Sequence, residues 1–157
     1  MSIAAATGDL LGLEHLVDDE GHSASDADAF LETPLYLAAQ FNHLDMIKVL
    51  VKEMRVDIDP LNFEGWTPLA AAVSRGNKEV VKYLLKNNAN GSWTHPQLGW
   101  TLMHLAAWMD QPEMVVYLSQ LGASSKAECE PLSCRPIDLT IPGRTRQILH
   151  ELMDEEE

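Results

Sequence analysis

A chain of 157 residues with 24 acidic against 11 basic side chains carries a formal charge of −13 and lacks the Lys/Arg stripe that phosphate neutralisation needs, which excludes nucleic acid as a partner. With 46% apolar residues, 9 Gly, 8 Pro and only 6% aromatics, it can bury a core of Ala, Leu and Val as one unit of ordinary size. No apolar stretch approaches the roughly 18 residues of a membrane span, and no basic start leads into an apolar run, so the expectation is neither membrane nor secretion but cytoplasm or nucleus.

The elements recur. TPLYLAA at Thr33 to Ala39, TPLAAAV at Thr67 to Val73, TLMHLAA at Thr101 to Ala107 and a worn RPIDLTI at Arg135 to Ile141 start at 33, 67, 101 and 135, a constant step of 34. Self-similarity at such spacing marks stacked helical units. One step earlier, Ile3, Ala4 and Ala5 align with Leu37, Ala38 and Ala39, while Leu10, Leu13, Leu16 and Val17 align with Leu44, Ile47, Leu50 and Val51. At the far end Ile148, Leu149 and Leu152 align with Met114, Val115 and Leu118.

Within each copy the residue types follow from their duties. Thr33, Thr67 and Thr101 can cap a helix through their hydroxyls, and Pro34, Pro68 and Pro136 suit its first turn, where the missing N–H would be unpaired anyway. The small pairs Ala38-Ala39, Ala72-Val73 and Ala106-Ala107 allow close helix approach. Asn42, Gly76 and Asp110 stand where that short helix must break through a left-handed residue. A second helix follows, with apolar residues at helical spacing: Ile47, Leu50 and Val51; Val80, Val81, Leu84 and Leu85; Met114, Val115, Leu118 and Leu121. Turn-rich stretches at 57–66 and 91–100 then form fingers, with Gly65 and Gly99 supplying positive φ. No copy can bury its apolar faces alone, so neighbours must stack.

Helix, helix, finger with Gly65, Thr67, Pro68, Leu69, Gly76, Gly99, Thr101, His104, Leu105, Ala106 and Ala107 in place resembles the ankyrin repeat family. The usual ankyrin period is about 33, so each copy here carries a surplus residue, placed near Met54-Arg55 in the second copy and around 94–97 in the third. Leu102 replaces the motif's Pro, and Arg135 its Thr. The resemblance implies an all-α ankyrin repeat solenoid of about five repeats with β-hairpin-like fingers, a single domain over 1–157. Its repeats are expected at 1–28 (capping), 29–62, 63–96, 97–130 and 131–153 (capping), ahead of an acidic tail at 154–157. It further implies that finger tips and the outward side of each first helix form one concave binding face.

On that register the positions free of folding duty hold Phe30, Phe41, Phe63, Glu64, Trp66, Arg75, Leu98, Trp100, Trp108 and Met109. Six of the chain's ten aromatics fall among them. Aromatics and Arg dominate interface hot spots because they cover large area at small entropic cost. Trp66 and Trp100 have a second reading, packing on one another between adjacent fingers to brace the stack.

Catalysis finds no support. His15, His22, His43, His95, His104 and His150 are scattered, and neither HExxH, GxSxG nor a phosphate loop occurs. His104 and His43 read as structural. Cys129 and Cys134, five apart, could form a local disulfide or half a metal site, but no second CxxC or His pair completes a ligand set, so neither cofactor nor metal is expected. Acidic runs at Asp18-Asp19-Glu20, Asp26-Asp28, Asp57-Asp59 and the tail keep the chain soluble or attract a basic partner. The functional expectation is a non-catalytic adaptor or inhibitor, monomeric when free, that binds another protein. The alternative is a structural subunit held permanently in a larger assembly.

Overall fold

The computed structural model describes residues 2–18, 23–129 and 133–155; Asp19, Glu20, Glu156 and Glu157 of the acidic runs lie outside them. The elements are all helical and come in pairs: α1 (Ser2–Thr7) with α2 (Leu10–Asp18), α3 (Pro34–Gln40) with α4 (Leu44–Lys52), α5 (Pro68–Ser74) with α6 (Lys78–Lys86), and α7 (Leu102–Trp108) with α8 (Pro112–Gln120). In the last pair a 3-10 turn (Pro136–Leu139) precedes α9 (Arg144–Glu155). Thr33 Oγ1 accepts the Tyr36 N–H at 3.2 Å and Thr67 Oγ1 that of Ala70 at 3.1 Å, so the motif's threonine does cap the first helix.

The turn Pro136–Leu139 is shorter for a local reason. Pro142 stands where α3, α5 and α7 have their final residues Gln40, Ser74 and Trp108, and a proline disfavours helical backbone at the residue before it, Ile141.

Left-handed residues punctuate the chain at the repeat's own step. Gly8, Asn42, Gly76 and Asp110 (φ 74°, 65°, 71° and 51°) separate the helices of the first four pairs, and Leu31, Gly65, Gly99 and Ser133 (φ 59°, 89°, 66° and 49°) turn the fingers. A third set, Arg55, Asn88 and Gly122, follows the second helices. Arg55 comes three residues after the end of α4, whereas Asn88 and Gly122 come two after α6 and α8, so the second copy holds its surplus residue there.

Residues just past the first break hold successive copies together. His43 Nε2 donates to the Ala6 carbonyl at 2.9 Å, Asn77 Nδ2 to those of Ala39 and Gln40 at 2.9 and 3.1 Å, and Gln111 Nε2 to that of Ser74 at 3.3 Å. Thr145, one step further on, donates its hydroxyl to the Asp110 carboxylate. Carbonyls at a helix C-terminus have no partner within the helix, so a donor reaching over from the next copy satisfies them.

Contacts group the chain into two compact units, residues 1–72 with 77–90 and residues 73–76 with 91–157. In the first, α1 packs on α3, α3 on α4 and α4 on α6. Its core is small and aliphatic: Ala5, Leu13, Ala38, Ala39, Ile47, Leu50, Leu69, Val80 and Leu84 are fully buried. In the second, α7 packs on α8 and on the 3-10 turn, and α8 on α9, around Leu105, Ala106, Val115 and Leu149. The buried alanines let helix axes approach closely, which longer side chains would prevent.

Candidate protein-interaction surface

Each finger is a tight turn closed by one polar or sulfur group near its start. Asp28 Oδ1 accepts the N–H groups of Phe30 and Glu32 at 2.8 and 3.0 Å, and Asn62 Oδ1 those of Glu64 and Trp66 at 3.0 and 2.9 Å. These side chains mimic a backbone turn and leave Phe30 and Phe63 at the tips, 67% and 76% exposed. The Phe63 N–H donates to the Phe30 carbonyl at 2.8 Å, joining the two tips edge to edge. Partial burial raises the Glu32 carboxyl above its ordinary range; Asp28 adds to the rise, a hydrogen bond from Asn62 opposes it, and Glu64 contributes a smaller increase.

In the third finger His95 takes the closing role, its Nδ1 accepting the N–H groups of Gln97 and Leu98, both at 3.2 Å. Gly99 lies four residues past His95, where Gly65 lies three past Asn62, so this finger accommodates one residue more. The fourth finger is closed covalently by a disulfide between Cys129 and Cys134, and the Cys129 N–H donates to the Cys134 carbonyl at 2.9 Å. Only isolated bridges, Thr94 with Thr101 and Cys129 with Cys134, are formed among the described residues, because turns this tight leave no room for longer ladders.

The residues expected at the surface fall into the two units. In the first, Phe30, Phe41, Phe63 and Glu64 are exposed and Trp66 is half-buried. In the second, Arg75, Trp108 and Met109 are exposed and Leu98 is half-buried. Trp100 corrects the expectation: it is only 8% exposed, and its ring meets that of Trp108 edge-on with centroids 5.2 Å apart. Its carbonyl accepts the His95 N–H at 2.8 Å, which fixes it at the base of the finger. Trp100 therefore packs against Trp108 and leaves little of its own surface in water. Leu31 and Leu61, exposed beside the first two tips, are surface residues that the repeat register did not single out.

His104 is fully buried at the start of α7. Its Nδ1 accepts the Thr101 N–H at 3.3 Å and the Thr101 hydroxyl at 2.9 Å, while Nε2–H donates to the Cys134 carbonyl at 2.9 Å. Burial holds its pKa below the ordinary value of 6.5, against opposing contributions from the Cys134 carbonyl and Asp138. Ligand atoms of His104, Cys129 and Cys134 lie within 4.8 Å of one another. The two sulfurs are bonded to each other and both ring nitrogens are engaged, so the trio ties the fourth finger to α7 in this form.

Among the described residues no helix is long and apolar enough to cross a membrane. The family model for ankyrin repeats (three copies) matches residues 1–92 and 55–129, and the chain belongs to the ankyrin repeat family, with its all-α solenoid fold. It is 32% identical over 111 residues, 70% of its length, to the mouse (Mus musculus) Ankyrin repeat and SAM domain-containing protein 6, of which it spans 12%. It is 31% identical over 83 residues to the 26S proteasome non-ATPase regulatory subunit 10 of Dictyostelium discoideum, covering 53% of this chain and 36% of that protein. A mouse Protein phosphatase 1 regulatory subunit 27 is 32% identical over 84 residues, 54% of each chain.

Proposed function

We propose that this chain is a non-catalytic protein-interaction module, an adaptor or inhibitor that binds a partner protein through Phe30, Phe41, Phe63, Glu64 and Trp66 in the first unit and Arg75, Leu98, Trp108 and Met109 in the second. One observation carries the reading: large apolar side chains, Phe30, Phe41, Phe63 and Trp108 among them, stand exposed at finger tips and helix ends although the interior already buries a mostly aliphatic core. The fold has no use for a phenylalanine in water, whereas an interface does. Two of the relatives bear the names of regulatory subunits, of the proteasome and of a phosphatase, and such a role fits a module that acts by occupying a surface. Free in the cytoplasm or nucleus, the module is a monomer.

Permanent membership of an assembly is the second reading, favoured by the amount of exposed apolar surface. Sedimentation separates the two: an adaptor runs as a folded monomer, a fixed subunit self-associates without its neighbours. The test of the binding residues is capture from native lysate with Phe63→Ala and Trp108→Ala combined. Capture of a defined partner should fall at least about tenfold, as loss of two hot-spot rings requires, with circular dichroism unchanged. Undiminished capture by the double variant refutes the assignment.

A further inference from the structure

The first two finger tips combine exposed rings with unneutralised acid. Phe30 and Phe63 are joined through backbone at 2.8 Å, with the exposed Leu31 and Leu61 beside them. Asp28, Glu32 and Glu64 are close enough for Asp28 and Glu64 to act on Glu32. Among the described residues no basic side chain forms an ion pair with any of the three, whereas pairs such as Lys48–Asp45 and Lys82–Glu79 form on the helices α4 and α6.

We infer that this rung of two fingers receives a protein segment in which Lys or Arg lies next to exposed aliphatic or aromatic side chains. The inference rests on the interaction-module reading and names the chemistry of the partner at the first unit.

Alternative occupants fit less well. A small divalent cation needs carboxylate oxygens converging on one point, and among the described residues the only group of three or more such ligands that converges is His104 with the two cysteines. The acid here is spread along a rung, which suits cations carried on an extended chain. A second copy would bring the same acidic tips and a further net charge of −13 against the first. Phosphate-bearing nucleic acids and anionic lipid are repelled for the same reason. A basic segment with apolar neighbours satisfies both halves of the surface: rings desolvate on its apolar side chains, and carboxylates steer and orient its cations.

The test uses the full chain, labelled with nitrogen-15, and three short synthetic peptides: Arg-Leu-Phe-Arg, its charge-reversed partner Glu-Leu-Phe-Glu, and Arg-Ser-Ser-Arg, each with blocked ends. The basic apolar peptide should shift the amides of Phe30, Phe63 and Glu64. Each control should bind roughly five- to tenfold more weakly, the scale expected of a few exposed charge contacts or one lost aromatic contact. Raising salt from about 0.05 to about 0.5 M should weaken the basic peptide selectively. Glu32→Gln with Glu64→Gln should abolish the preference for the basic over the acidic peptide; Glu64 is exposed, Glu32 is half-buried, and glutamine there keeps an acceptor for Asn62.

Equal binding of acidic and basic peptides overturns the inference, as does binding that shifts amides elsewhere, or no shift at the finger amides at millimolar peptide. Sedimentation showing a dimer that Phe63→Ala dissolves also overturns it, in favour of a second copy. None of these bears on whether the Phe63/Trp108 double variant loses its cellular partner, so the broader reading fails or survives separately.

Discussion

Replacing Asn77 by Ala isolates the bonds that hold one repeat to the next. Asn77 stands at the N-terminus of α6 but makes no side-chain capping bond there, so truncation does not uncap the helix. What it removes are the two donations to the Ala39 and Gln40 carbonyls, at 2.9 and 3.1 Å. At about 1 kcal/mol for each amide–carbonyl bond the loss is about 2 kcal/mol. The side chain is only half-buried, and water partly replaces the missing donor, which lowers the expectation to about 1–2 kcal/mol. For a chain of this size that corresponds to a fall of about 2–8 °C in Tm. Asn77→Asp retains the volume, removes the donors and sets a carboxylate against two carbonyl oxygens, so it should cost at least as much as alanine. Urea unfolding followed by far-ultraviolet circular dichroism measures both, with Gln147→Ala on the exposed face of α9 as a neutral control. Losses below about 0.5 kcal/mol for both variants, the range of an ordinary surface change, would refute the clasp as a source of stability.

Leu31 occupies a left-handed position, φ 59°, where the next two fingers have glycine. Leu31→Gly should relieve about 1–2 kcal/mol of backbone strain and lose part of it to chain entropy, for a net gain of about 0.5–1 kcal/mol in denaturant unfolding; destabilisation would contradict the strain. His104 has its folded pKa below 6.5 because burial disfavours the charged ring. Its contribution is therefore complete above the unfolded value and declines as pH falls below it, where only the unfolded chain takes up the proton, levelling off beneath the folded value. The stability difference between wild type and His104→Asn should shrink on acidification from about pH 7.5 to about 5.5, by at most about 1.4 kcal/mol per unit; a constant difference would contradict the buried neutral imidazole. Ala106→Leu, at a fully buried helix contact, should destabilise by about 1–3 kcal/mol through overpacking, and an unchanged unfolding midpoint would mean that α7 has room it does not show.

A step of 34 was enough to derive the helix pairs, the capping threonines and the breaks at Asn42, Gly76 and Asp110, because each depends on local chemistry: a hydroxyl before a first turn, a proline without an N–H, a residue able to reach positive φ. The same local rules explain the truncated helix before Pro142. Polar residues at 43, 77, 111 and 145 also recur at that step, yet beyond a structural role for His43 their partners were illegible, since the carbonyl and carboxylate acceptors they reach lie 35 to 38 residues back and only folding brings them close. A local Cys129–Cys134 disulfide was one of two readings open from the spacing, but its equivalence to the Asx oxygens and the His95 nitrogen as a finger closure was hidden, because these groups share a role and no common residue type. Trp100 shows the limit most directly. By position it was equivalent to Trp66, but the ring is buried under Trp108 while Trp66 is half-exposed. Backbone periodicity determines which element a residue belongs to; how far its side chain meets water is decided by what the neighbouring elements leave uncovered, and that exists only after they have packed.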